Sequence, residues 1–105
     1  DFSVDGNVSS TELPTGSGKG MRAYFCVICG VYVYCQYNIS SGKGGRIAVR
    51  TATLENPITP DAHIFVKDKD PWIDIVNKNI CHDEMYDRDK TWSEESLKRL
   101  KEKMN

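Results

Sequence analysis

Cys26 and Cys29, two thiols three positions apart with Gly30 directly behind the second, are the residues of this chain best spaced for chemistry. A thiolate is a nucleophile, a redox partner and a soft metal ligand, and the Cys-x-x-Cys spacing serves the last two roles. A redox pair wants its first cysteine at a helix N-terminus, where the dipole lowers the thiol pKa. Here the pair runs into Val31-Tyr32-Val33-Tyr34, whose β-branched and aromatic residues read as strand. That context favours a zinc knuckle: one strand delivers a thiolate, a tight turn delivers the second, and Gly30 lets the backbone turn back into the next strand. Two ordinary cysteines in a β-turn are the plain alternative. Structural zinc takes four ligands, so this pair fills half of a site.

The remaining metal-ligating side chains are Cys35, Cys81, His82 and His63. Cys35 stands six positions after Cys29 inside a strand sequence and reads as a small buried hydrophobe. Cys81 and His82 are sequence neighbours and would point to opposite faces of a strand, so both reach one ion only from an irregular loop. His63 sits between Ala62 and Ile64 and reads as a core histidine with a hydrogen-bond partner. An internally completed four-ligand site is therefore the minority expectation. Four cysteines also allow three disulfide connectivities. The clustering of Cys26, Cys29 and Cys35 points instead to metal and to a reducing compartment, cytoplasm or nucleus. Two glycosylation-type triplets, Asn7-Val8-Ser9 and Asn38-Ile39-Ser40, point the other way and arise readily by chance.

Ser17-Gly18-Lys19-Gly20 recurs as Ser41-Gly42-Lys43-Gly44. Neither copy has the glycine spacing or the Ser/Thr after lysine of a phosphate-cradling loop, so both read as hairpin turns. Spacing alone supports no Ser/His/Asp or paired-carboxylate arrangement.

The elements that would position the knuckle are mostly strands. Phe2-Ser3-Val4-Asp5 reads as a strand end, and a short strand falls near Val8 to Leu13 within a Gly-, Ser- and Thr-rich stretch. Met21 to Val27 alternates, with Arg22, Tyr24 and Cys26 on one face and Ala23 and Phe25 on the other. Val31 to Tyr37 is the clearest strand, half-buried or better on both faces. Arg46 to Arg50 and Ala62 to Val66 are further strands, and Trp72 to Val76 is ambiguous between strand and turn. The C-terminal end changes period. Thr91 and Glu94 have capping-box spacing, Leu97, Leu100 and Met104 form an apolar stripe, and Glu94/Lys98 and Glu95/Arg99 are i,i+4 pairs. Residues 91–104 are thus expected as a surface helix of about three turns. Strands first and one helix last give a mainly β fold, and 105 residues suit a single domain.

Composition narrows the function classes. Apolar residues at 39% and charged residues at 28% describe an ordinary globular chain. A net charge of -1, with acids and bases interleaved, gives no reason to expect a nucleic-acid or membrane-surface partner. No apolar run approaches the roughly 20 residues of a bilayer crossing.

The chain resembles the glutathione-dependent formaldehyde-activating enzymes and centromere protein V. The resemblance rests on Arg22 before Phe25-Cys26, Cys29-Gly30, Arg50-Thr51-Ala52-Thr53-Leu54-Glu55-Asn56-Pro57, Ala62-His63-Ile64-Phe65-Val66 and Pro71-Trp72. These run in family order over about Phe2 to Trp92. Val27, Ala52 and Glu55 depart from the family's usual Pro, Gly and Asp. The resemblance implies a β-tent of packed antiparallel sheets and a carbon–sulfur lyase chemistry on glutathione or other thiol adducts. It assigns Cys26 and Cys29 to a structural zinc site completed by an N-terminal Cys-x-Cys pair. A separate Cys-x-Cys-x-x-Cys set would hold the zinc associated with activity. No cysteine precedes Cys26 here, so the chain reads as the C-terminal two-thirds of the family domain, inactive by itself. The alternative is a non-catalytic, zinc-stabilised β module used for binding or assembly. Unpaired strand edges on such a portion would favour self-association.

Overall fold

The computed structural model describes residues 2–38 and 46–104 and divides the chain into two compact units, Asp1–Pro57 and Ile58–Lys103. The first unit is a four-stranded antiparallel meander of β1 (Val8–Leu13), β2 (Met21–Cys26), β3 (Tyr32–Tyr37) and β4 (Ile47–Val49), in that order across the sheet. The alternating sequences of β2 and β3 place them at its centre. Ala23 pairs with Cys35, which pairs in turn with Ala48, and Tyr24 pairs with Tyr34. Small side chains in one row and aromatic rings in the next let both faces of β3 be covered. Tyr34 is 8% exposed and Cys35 only 1%, on opposite faces, and Ala23 completes the buried set. The Tyr34 ring stacks on Tyr24 at 4.5 Å between centroids and meets Phe2 edge-on at 4.9 Å. Phe2–Val4 itself is not a strand.

The first Ser-Gly-Lys-Gly copy is the β1–β2 turn. Gly18 N–H donates to the Thr15 carbonyl and Gly20 N–H to Thr15 Oγ1, both at 3.0 Å. Gly20 is left-handed, and a Cβ there would stand 3.1 Å from the Leu13 carbonyl oxygen, so glycine is required. The second copy, Ser41-Gly42-Lys43-Gly44, lies outside the described residues. β2 and β3 are not regular throughout: Tyr24 faces Tyr34 but Phe25 faces Tyr32, leaving Val33 as the extra residue of a β-bulge.

The second unit contains no strand among the described residues. The strand expected over Ala62 to Val66 is reduced to a parallel bridge between His63 and Cys81. Phe65 explains the truncation. It adopts a left-handed backbone at φ 52 and opens a 3₁₀ turn over Val66–Asp68, which ends the extended run. Residues 73–75 are irregular rather than strand. A four-residue helical turn, α1 (Arg88–Thr91), and the C-terminal helix α2 (Glu94–Met104) follow. Thr91 therefore closes α1 instead of capping α2. Trp92 is extended between the two, and Ser93 Oγ accepts the Ser96 N–H at 3.2 Å as the cap. The Glu95–Arg99 pair forms at 3.2 Å, and Leu97 and Leu100 are half-buried. The fold is mainly β with a C-terminal helix. No helix among the described residues is long and apolar enough to cross a membrane.

Candidate metal centre

Cys26 ends β2 and Cys29 stands in the turn that follows, so the structure brings the two thiols together at one end of the β2–β3 pair. The turn is held by its own backbone. Cys26 N–H donates to the Val31 carbonyl and Gly30 N–H to the Cys26 carbonyl, each at 2.9 Å. Gly30 takes φ 75, the left-handed step that reverses the chain toward β3. Val27 N–H reaches the Asn7 carbonyl at 3.4 Å and continues the β1 pairing into the turn. Sequence spacing offered no reason to pick Asn7. Its contribution is a carbonyl, and any residue type supplies one.

The electrostatics of the turn favour a thiolate. The backbone N–H of Cys29, then that of Ile28, then the Cys29 thiol all donate to Cys26 Sγ and hold its pKa below the ordinary thiol value. Donors converging on sulfur are the arrangement that metal-bound thiolates need. The same turn leaves Ile28 at its tip, 92% exposed. Two thiols on one turn are a donor set of the kind that a two-thiolate half-site for zinc uses.

The other candidates separate. Cys35 is the small buried residue its position implied, enclosed in the sheet between Ala23 and Ala48. Its surroundings are set by the bulge. In an unbroken strand, residues 32 and 35 would point to opposite faces; the extra residue Val33 brings Tyr32 onto the face of Cys35 and Tyr37. Burial, together with the Cys35 sulfur and Tyr37, pushes the Tyr32 phenol up to about 12, although the Arg50 guanidinium opposes the shift. That guanidinium lies over the Tyr32 ring, 5.6 Å from its centroid. Burial, then Cys35, shifts Tyr37 in the same direction.

Cys81, His82 and His63 gather in the second unit. His63 N–H donates to the Ile80 carbonyl and its own carbonyl accepts from His82 N–H, both at 2.8 Å. The imidazole of His63 is half-buried, and the bonds that fix the residue among the described residues are made by its backbone. Cys81 Sγ donates to the Asn77 carbonyl at 3.5 Å, and the His82 ring meets Tyr86 edge-on at 5.8 Å. Trp72 is 81% exposed. Among the described residues, no group of three or more His, Cys, Asp or Glu side chains is placed to hold a metal ion.

The sequence pattern of the glutathione-dependent formaldehyde-activating enzymes matches residues 1–68 of the 105. The chain belongs to that family. The match takes in the whole four-stranded sheet, Cys26 and Cys29, and ends with the 3₁₀ turn at Asp68. Membership ties the chain, at the level of the family, to glutathione-related function. No curated protein and no solved structure matches it.

Proposed function

We propose that this chain carries the structural zinc knuckle of a carbon–sulfur lyase acting on glutathione or other thiol adducts, with Cys26 and Cys29 as two thiolate ligands. The observation that carries the reading is the placement of Cys26 and Cys29 on one backbone-held turn closed by Gly30, where the Cys29 and Ile28 backbone N–H groups lower the Cys26 pKa. Zinc bound by these thiolates would supply fold stabilisation, and a zinc with an open position would supply Lewis-acid polarisation of the adduct. The residues of this chain hold and orient: the Gly30 turn fixes the second thiolate, and the Asn7–Val27 bond ties the turn to β1. None of them is assigned a bond-making step, so the 105-residue chain is expected to be inactive toward a glutathione–formaldehyde adduct.

The test is metal quantification with thiol titration on the whole chain. Bound zinc, with both knuckle thiols protected from alkylation and both effects lost in Cys26→Ser or Cys29→Ser, supports the reading. Zinc-free protein whose knuckle thiols alkylate freely overturns it. A second reading, a non-catalytic β module serving binding or assembly, draws on the lack of any three-ligand group among the described residues. Activity on the adduct after supplementation with a partner segment or chain separates the two, and turnover by this chain alone contradicts both.

A further inference from the structure

The two edges of the sheet are protected very differently. β4 is three residues long and lies between Arg46 and Arg50, the short and charged form in which edge strands resist pairing. β1 is six residues long, regular in its pairing with β2, and free of proline. Its one charge, Glu12, is engaged within the chain: Arg22 bonds it at 2.9 Å and the Asn38 amide at 3.1 Å. The usual gatekeeping devices are therefore missing or neutralised on β1.

The hydrogen-bond phase of β1 follows from the knuckle. Val27 donates to Asn7, so Asn7 and every second residue after it, Ser9, Thr11 and Leu13, direct their backbone groups toward β2. Val8, Ser10 and Glu12 then direct theirs outward, and none takes part in any backbone bond outside the ladders among the described residues. We propose that this edge pairs antiparallel with the β1 edge of a second copy of the chain, about a two-fold axis at Ser10. In that register Ser10 faces the second copy's Ser10 and Val8 faces Glu12, so every outward N–H and C=O finds a partner. Glu12 meets an apolar residue rather than a like charge, and Ser9 stands beside the second copy's Thr11. The knuckle takes no part, and the pairing does not depend on zinc.

The experiment is sedimentation of the whole chain over a concentration series, with and without a zinc chelator. Wild type is expected to be a dimer in equilibrium with monomer, unaffected by chelation. Ser9 and Thr11 are both exposed, so replacing them leaves the monomer intact. Ser9→Lys with Thr11→Lys sets lysine against lysine twice and is expected to raise the dimer dissociation constant about tenfold. Mixing that variant with Ser9→Glu/Thr11→Glu restores the dimer. Ser10→Pro removes an outward N–H without touching the β2 ladder and is expected to yield a folded monomer. A wild-type monomer at every concentration, a dimer dissolved by chelation, or a dimer indifferent to the lysine pair would each overturn the proposal.

Discussion

The sheet unit and the unit that follows it differ in how they are held. In the first, four strands share continuous backbone ladders, and Ala23, Tyr34 and Cys35 are removed from water. In the second, no residue is fully buried among the described ones, and the chain is fixed by individual bonds: the His63–Cys81 bridge, the Lys67–Glu84 pair, and the bond from Trp92 Nε1 to the Tyr86 hydroxyl at 2.8 Å. Large apolar side chains remain in solvent there, with Trp72 and Val76 the extremes. Ladder and core make a structure cooperative, whereas separate bonds open separately. The difference teaches that the two units should fail by different routes.

The sharpest break is Tyr34→Ala. It removes the ring that joins Tyr24 and Phe2 and should cost about 3–5 kcal/mol in chemical denaturation, the range for deleting a buried aromatic. A loss below ~1 kcal/mol would mean that the sheet is not organised around that ring. Alkaline pH is the next. Tyr32 is raised to about 12 in the folded state and Tyr37 is raised as well, whereas an unfolded tyrosine ionises near pH ~10. Their contribution is complete below that pH and drains away as pH rises toward 12, because the unfolded chain releases protons that the sheet retains. Denaturation midpoints measured across this window should fall, and Tyr32→Phe should flatten the fall.

The second unit should respond on a smaller scale. Tyr86→Phe strands the half-buried Trp92 N–H and should cost about 1 kcal/mol, read as faster hydrogen exchange around Trp92 with the strand amides unchanged. An equal loss of protection in β2 and β3 would show the units to be one cooperative body. Trp72→Ala is the smallest, within about 0.5 kcal/mol by denaturation because the ring is already in water. A larger loss would reveal a contact partner for that ring.

Legibility followed the same divide. β2 and β3 were readable because six alternating residues suit a half-buried strand and little else, and the knuckle was readable because Cys-x-x-Cys-Gly between two such strands defines a turn. The bulge was not. Val-Tyr-Val-Tyr alternates without interruption, and nothing in it says that Val33 is the residue left over. Ala62 to Val66 has the alternation of β3, but Phe65 takes a left-handed backbone that turns the chain aside. At the C-terminus the right kind of cap was expected at the wrong residue: Asp87 accepts the Asp89 N–H and starts a separate turn, which passes the capping of α2 to Ser93. The cysteine pair was legible as two thiols on one turn, while the backbone groups that lower the Cys26 pKa were not, since a peptide N–H leaves no mark in the side-chain sequence.

Val33 carries a consequence beyond its strand. Its carbonyl accepts the Arg50 N–H at 2.8 Å, so the bulged residue stays bonded to the chain beyond β4 while β2 runs past it. The knuckle lies on the far side of that slip. The aim of Tyr32 is consequently a matter of phase, fixed by a count of residues and not by the size or polarity of any side chain. Removing one residue at this point would turn Tyr32 away from Cys35. Conservative substitutions throughout β3 would leave the aim unchanged. The aim of Tyr32 is thus robust to substitution and fragile to a single-codon deletion.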